Sequence, residues 1–425
     1  MYIKGNPPDK SRFRNMRRYW LHFGLFTVLL LASSGIFAAI KPIPHHKWVG
    51  TWGTARQLAE PNNMPPAPGL SNNTLRQVVC VSIGGKRLRL KLSNEFGNSP
   101  LTLKTVQIAV SKGNGIIDPS TLKILKFHNK TGVTLTAGTE LFSDAILFDL
   151  KPRMQLAITI VFGDVPSSIT GHPGSRTTSY LLAGQHRSSG TDFTDAVKAD
   201  HWYVITGIDV DAPKSPGAVV VLGDSITDGR GSGTNQQDRW PDNLATNLLA
   251  NNSTKQTGVL NMGIGGNAIL KGGLGPTALN RFEHDVLKQS GVKWLIIFEG
   301  VNDLGGTPDS VAAVSVAQNI ITAYTKMITD AHAKGIKVYG ATITPFKKSN
   351  YYRPYRESAR NTINDWIRTS GKFDAVIDFD KVLRDPNTTD TLLPEAQAGA
   401  NDYLHPNQLG YKMMGDAVDL KLFGR

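Results

Sequence analysis

The apolar positions change rhythm partway along the chain. From about Lys47 to Asp211 they alternate with polar ones at a period of two. Examples are Val78–Ile83, Arg87–Leu92, Thr105–Val110, Thr121–Phe127, Ala145–Leu150, Gln155–Phe162 and Trp202–Val210. That period puts alternate side chains on one face of a strand. Gly84-Gly85 and Gly97-Asn98 supply turns between the strands. Many short strands with turns between them predict an antiparallel β-sandwich over residues 47–211. Asp211–Gly217 holds two prolines and reads as a linker. After it, Ala218–Leu222 is apolar throughout, as suits a strand buried on both faces. Val259–Met262, Trp294–Phe298, Lys337–Ile343 and Ala375–Phe379 are further strands. Helical segments lie between them at Pro241–Ala250, Leu279–Gln289, Val311–Ala333 and Arg356–Thr369, and a last helix follows Asn407. Strands alternating with helices predict a parallel, doubly wound sheet over residues 217–425.

The N-terminal 40 residues have a different texture. Six basic residues end at Arg18, and no charge follows from Tyr19 to Ile40. Leu25–Leu31 is strongly apolar, and small residues come next at Ala32, Ser33, Ser34, Gly35, Ala38 and Ala39. This is the layout of a secretory signal peptide. The apolar stretch is nearly long enough to span a bilayer, so an uncleaved membrane anchor is the alternative. Both readings export the folded part, which would be periplasmic or secreted if the segment is cleaved. No cysteine directly follows the apolar stretch, which excludes a lipoprotein anchor.

Composition narrows the classes. Of 425 residues, 40% are apolar and 19% charged, so the chain can build a packed core. The single cysteine, Cys80, excludes an intramolecular disulfide, an iron–sulfur cluster and a cysteine-rich zinc site. The formal charge is +13, of which the first 40 residues carry +5, leaving +8. Those remaining basic residues occur as pairs such as Lys86-Arg87 and Lys347-Lys348, without a long run. A solvated basic surface follows, and no nucleic-acid partner is expected.

Function in a doubly wound sheet sits in the loops at the carboxyl ends of its strands. Four such loops carry chemistry. The first is Gly223-Asp224-Ser225-Ile226-Thr227-Asp228-Gly229. A serine there can lie at a helix start with its backbone N–H facing an oxyanion, or serve as a cap. Thr227 stands where an α/β-hydrolase elbow needs glycine, and no P-loop lysine follows. The second loop is Asn261-Met262-Gly263-Ile264-Gly265-Gly266-Asn267, whose glycines allow close backbone approach. Its match to a dinucleotide fingerprint is weak, because Lys271–Pro276 forbids an immediate helix. The third, Glu299-Gly300-Val301-Asn302-Asp303, can aim an asparagine amide into the cleft or form an Asx turn. The fourth, Asp402-Tyr403-Leu404-His405-Pro406-Asn407, puts a carboxylate three residues before a histidine, close enough to orient its ring.

These blocks, GDSITDG, NMGIGGN, GVND and DYLHPN, resemble in order the four signature blocks of the SGNH/GDSL hydrolases. The resemblance covers roughly half the chain, from Gly217 onward. It implies a flavodoxin-like three-layer α/β/α fold and metal-free ester hydrolysis. By position, Ser225 resembles the nucleophile, His405 the base and Asp402 its orienting residue. The oxyanion hole would consist of the Ser225 and Gly266 backbone N–H groups and the Asn302 side chain, with Gly263 and Gly265 as adjacent options. The strand-rich half, opening on Trp48-Val49-Gly50-Thr51-Trp52-Gly53, looks like the N-terminal domain of two-domain bacterial members related to carbohydrate esterases.

The expectation is an exported serine esterase that removes short acyl groups, acetyl above all, from a small-molecule or polysaccharide ester. The alternatives are a lysophospholipase or arylesterase acting on longer chains, and a non-catalytic carbohydrate-binding protein. Phe346, Tyr351, Tyr352 and Tyr355 in the fourth strand–helix loop could stack on sugars or simply pack. No cofactor or metal is expected, since His45-His46 are adjacent rather than at ligand spacing. Any membrane contact would run through the N-terminal segment alone.

Overall fold

The computed structural model describes residues 1, 2, 5, 47–185 and 190–424, so the signal or anchor expected over residues 1–40 lies outside the described residues. Residues 46–425 form one compact unit. Beside a small third sheet of Gln57–Leu58, Thr170–His172 and Trp202–Tyr203, its first part is built on two large antiparallel sheets. One has Ile205–Asp211 between Trp48–Gly53 and Gly85–Ser93, with Ile146–Leu150 and Glu140–Phe142 also on Gly85–Ser93. The other is centred on Gln155–Phe162, flanked by Thr74–Cys80 and Leu101–Gly113. Alternation decides which side chains turn inward. Leu88, Leu90 and Leu92 of one sheet and Val106, Ile108, Leu156, Ile158 and Ile160 of the other enter one core. The predicted sandwich is present.

Three strands differ from the pattern for local reasons. Val78–Ile83 stops at Cys80, because Ser82 and Ile83 turn away to bond the Thr51 carbonyl and hydroxyl. Thr121–Phe127 shortens to Lys123–Leu125 after a 3-10 turn at Pro119. Trp202–Val210 breaks at Val204, which is left-handed at φ 70°. A β-branched residue pays strain there. It is held by its N–H on the Thr170 carbonyl and by its own carbonyl, which accepts from Ser93.

The second part is a five-stranded parallel sheet. Its spatial order is Gly258–Gly263, Ala218–Gly223, Val292–Phe298, Lys337–Ala341, Ala375–Ile377. In chain order that is 2-1-3-4-5, the flavodoxin-like arrangement. Val219, Val221 and Ile296 face one way, against Trp240–Ala250 and Gln408–Ala417. Val220, Leu222, Leu295 and Ile297 face the other way, against Ser310–His332 and Pro354–Thr369. This is the three-layer arrangement. The helix expected over Leu279–Gln289 is instead Ala278–Phe282 followed by a π-turn at Glu283–Leu287. Within this segment Arg281 Nη1 lies 3.0 Å from Asp285, and His284 Nδ1 lies 3.7 Å from the same carboxylate.

The second core face is continuous with the sandwich core. Polar contacts also cross between the halves, among them Arg56 to Asp285, Arg89 to Ser290 and Arg153 to Asp242. Among the described residues no helix is long and apolar enough to cross a membrane.

Candidate active site

Strand Ala218–Gly223 ends and the single helical turn Ser225–Asp228 begins at once. Asp224 caps it by accepting the Ile226 N–H, and Gly229 ends it in the left-handed region at φ 100°. The turn can sit this close to the sheet because its neighbours lack side chains. A Cβ on Gly223 would lie 2.1 Å from the Thr227 hydroxyl, and one on Gly263 would lie 2.3 Å from the Asp228 nitrogen.

Ser225 Oγ stands 2.9 Å from His405 Nε2. Asp402 Oδ1 stands 2.8 Å from His405 Nδ1 and also accepts the His405 backbone N–H at 2.7 Å. The carboxylate can only accept, so the ring proton belongs on Nδ1 and Nε2 is left to accept from the serine. The three-residue spacing lets one oxygen grip both ring and backbone. The loop is fixed on its other side, where the His405 carbonyl accepts from Ala398 and Asn407 donates to Ala396.

Burial pushes the imidazole below its ordinary 6.5. Asp402 opposes that shift, while the charges of Arg230 and Arg176 reinforce it. The ring therefore stays neutral and ready to take a proton at neutral pH. Burial pushes the Asp402 carboxyl up, but its bonds to the His405 N–H groups and the imidazole charge outweigh this and hold it below the usual range.

The expected oxyanion groups gather at the same pocket, a cleft of about 380 Å³. Ser225, Gly265, Gly266 and Asn302 all line it. Gly263 does not; it is spent on packing against Asp228. Gly266 is left-handed at φ 71°, a conformation that suits glycine. The Asn302 amide is oriented by two bonds: its Nδ2 donates to the Asn267 carbonyl at 2.7 Å, and its Oδ1 accepts from the Tyr351 hydroxyl at 2.8 Å. One N–H of that NH₂ remains to be given. Of the four loop aromatics, Tyr351 lines the pocket and Phe346 is wholly buried. Tyr355 donates to the Pro308 carbonyl, and Tyr352 packs against the core.

Several residues at the site escaped the sequence reading. His172, on strand Thr170–His172, reaches across from the sandwich half. Its Nε2 stands 2.9 Å from Asp228 Oδ1, and its Nδ1 stands 2.9 Å from the Ala55 carbonyl. Arg281, fully buried, joins three strand-end loops by donating to the Gly223 carbonyl, to the Met262 carbonyl and Asn267 Oδ1, and to the Glu299 carboxyl. A buried acid cluster lies beneath the serine turn. Burial raises Asp224 to about 7 and also raises Glu299 and Asp303.

One trio among the described residues has metal-ligand types close together: Glu95, Glu140 and His284. Arg56 Nη1 already stands among them, 2.8 Å from Glu140 and 2.7 Å from His284. The guanidinium is the cation of that cluster.

The serine, histidine and carboxylate thus meet at the ends of the strands, in the chain order of the four blocks. Residues 221–413 match the GDSL-like lipase/acylhydrolase family. The α/β half is a GDSL hydrolase domain. That domain makes the protein a carboxylic ester hydrolase, and an antiparallel β-rich part precedes it. The chain is similar to solved structures at low identity. A family two carbohydrate esterase from Cellvibrio japonicus is 12% identical, over 89% of this chain and 95% of that one, with a TM-score of 0.36. A catalytic mutant of an acetylxylan esterase from Geobacillus stearothermophilus is 18% identical, over 48% and 92%, with a TM-score of 0.36. A GDSL-like lipase from Bacteroides thetaiotaomicron is 21% identical, over 47% and 84%, with a TM-score of 0.32. A search of the curated proteins gives no match.

Proposed function

We propose that this GDSL hydrolase is an exported serine esterase that removes short acyl groups from a polar alcohol, in the first instance acetyl groups from a saccharide. The observation that carries the reading is the hydrogen-bonded chain from Asp402 through His405 to Ser225. Ser225 attacks the ester carbonyl as His405 takes its proton. The backbone N–H groups of Ser225 and Gly266 and the Asn302 amide receive the oxyanion. His405 returns the proton to the leaving alcohol, and water then repeats the sequence to free the acid.

The short-acyl preference rests on the pocket's lining. Gln57, Glu60, Asn63, Arg176 and His201, all from the sandwich half, bring polar groups to within the same cleft as Ser225. Burying an aliphatic tail against such groups would leave them unsatisfied, whereas hydroxyls can bond them. Export rests on the charge and apolar pattern of the N-terminal segment.

The test is a series of nitrophenyl esters of rising acyl length beside acetylated oligosaccharides, read with wild type and Ser225→Ala. The reading expects kcat/KM to be highest for acetyl and to fall with length, and the variant to lose about 10³-fold or more. Near-wild-type turnover by Ser225→Ala, or rates that climb with chain length, would overturn it.

A further inference from the structure

Two kinds of arginine stand out among the described residues. The buried ones Arg56, Arg281 and Arg360 are saturated with carboxylates or carbonyls. Arg176 and Arg230 line the serine pocket, yet among the described residues neither guanidinium has a hydrogen-bond or ion-pair partner. The Nε of Arg176 is buried and unsatisfied. A buried donor with no acceptor is costly, and such groups need a partner that arrives from outside.

Both residues are held by their backbones. Arg176 is left-handed at φ 49°, and strain of that kind concentrates at ligand clamps. Its carbonyl accepts from Asn235, and the next residues are tied to the same loop, Thr178 N–H to Asn235 Oδ1 at 2.8 Å and Gln237 to the Thr177 hydroxyl at 3.0 Å. Arg230 donates its N–H to the Ser225 carbonyl and accepts the Tyr411 hydroxyl at 2.6 Å. Both charges are felt at His405, and that of Arg230 also at Tyr351.

The pocket's own acids do not answer them. Glu60 is taken by the amides of Gln57 and Asn63, Asp228 by His172, and Asp402 by His405.

We propose that Arg176 and Arg230 form a subsite for a carboxylate carried by the substrate beside the scissile ester. Guanidinium forks match the planar, two-oxygen geometry of a carboxylate with paired N–H bonds. The assignment rests on the esterase reading and narrows its substrate class to anionic esters. The carboxylate can sit on the alcohol, as in a sugar acid, or on the acyl group, as in the half-ester of a dicarboxylic acid.

Matched pairs of esters separate these sources. 3-Acetoxybenzoate against its methyl ester places the charge on the alcohol side; mono-(4-nitrophenyl) glutarate against its methyl ester places it on the acyl side. Wild type, Arg176→Gln and Arg230→Gln are compared on all four. The wild type is expected to favour the charged member of one pair by about tenfold in kcat/KM, mainly through KM. Each substitution should cut that preference several-fold, and added salt should erode it in the wild type. Arg230 is exposed, so its variant carries the test if Arg176→Gln does not fold. No charge preference in either pair, or a preference that both variants keep, would overturn the subsite. The esterase reading is judged apart from it: neutral esters cleaved by the wild type and not by Ser225→Ala leave that reading standing when the subsite fails.

Discussion

The molecule contains two histidine–carboxylate pairs a few residues from the same serine turn, one built inside the hydrolase half and one across the junction of the halves. In the first, His405 meets Asp402 three positions away, and its other nitrogen faces the Ser225 hydroxyl. In the second, His172 comes from the sandwich to meet Asp228, and its other nitrogen is spent on the Ala55 carbonyl. Both nitrogens of His172 are thus occupied within the fold, and neither faces the Ser225 hydroxyl. The pairs therefore differ less in their bond lengths than in what the second nitrogen is free to do. His405 is placed to take a proton from Ser225, while His172 staples the sandwich to the loop that carries Ser225.

The two pairs should part first at Ser225 and His405. Ser225→Ala and His405→Ala should each lower kcat by about 10³-fold or more, and the double variant should lose little beyond either single. Losses that multiply would mean that the two side chains do not act as one unit. Asp402→Asn should keep more activity than either, because it orients the ring without handling the proton. Next comes Asn302→Ala, with a loss of about 10²-fold to 10³-fold in kcat and a nearly constant KM. A raised KM with kcat intact would make Asn302 a substrate-binding group.

His172→Ala should act on stability instead. It leaves Asp228 buried without its partner, a loss of about 3–5 kcal/mol. Thermal unfolding would show that loss. The acid limb of kcat/KM should stay where it is, since His405 sets it; an acid limb that moves or disappears in this variant would give His172 a chemical role. In the wild type that limb should lie below 6.5, with activity falling as pH drops through it, because burial and the two arginines disfavour the protonated ring.

Asp224 bears on the pH dependence of stability rather than on turnover. Its folded pKa is raised from 3.8 to about 7, so the folded state holds the proton more tightly than the unfolded state. Its contribution is present at low pH and is lost as pH climbs from about 4 through about 7. Asp224→Asn keeps an acceptor for the Ile226 N–H and should flatten that part of the stability–pH curve. A curve that keeps its slope would assign it to Glu299 or other acids.

What could be read in advance follows the range of the contacts. Ser225 could be found because it follows a buried strand directly, and Asp402 with His405 because their contact spans a single turn of chain. The strand–helix alternation likewise announces a parallel sheet. His172 and Arg176 gave no such signal. Their roles depend on which loops of the other half they meet, and nothing in Gly171-His172-Pro173 or Ser175-Arg176-Thr177 says so. Arg281 sits in a segment that reads as an ordinary helix, and it ties three loops together from beneath. The break at Val204 was hidden for the same reason, since its strain is supported by Thr170 and Ser93 from other strands.

The pairing of Trp48–Gly53 with Ile205–Asp211 has a consequence for how the chain assembles. The first strand of the sandwich waits for its last, so closure is delayed by the length of chain between them. The hydrolase strands are synthesised later, and Gly258–Gly263 must then seat beside Trp48–Gly53. The fit tolerates no side chain at one point: a Cβ on Gly258 would lie 2.2 Å from the Gly50 carbonyl oxygen. A methyl group there would act as an assembly defect, lowering the yield of active molecules while those that did form kept their turnover.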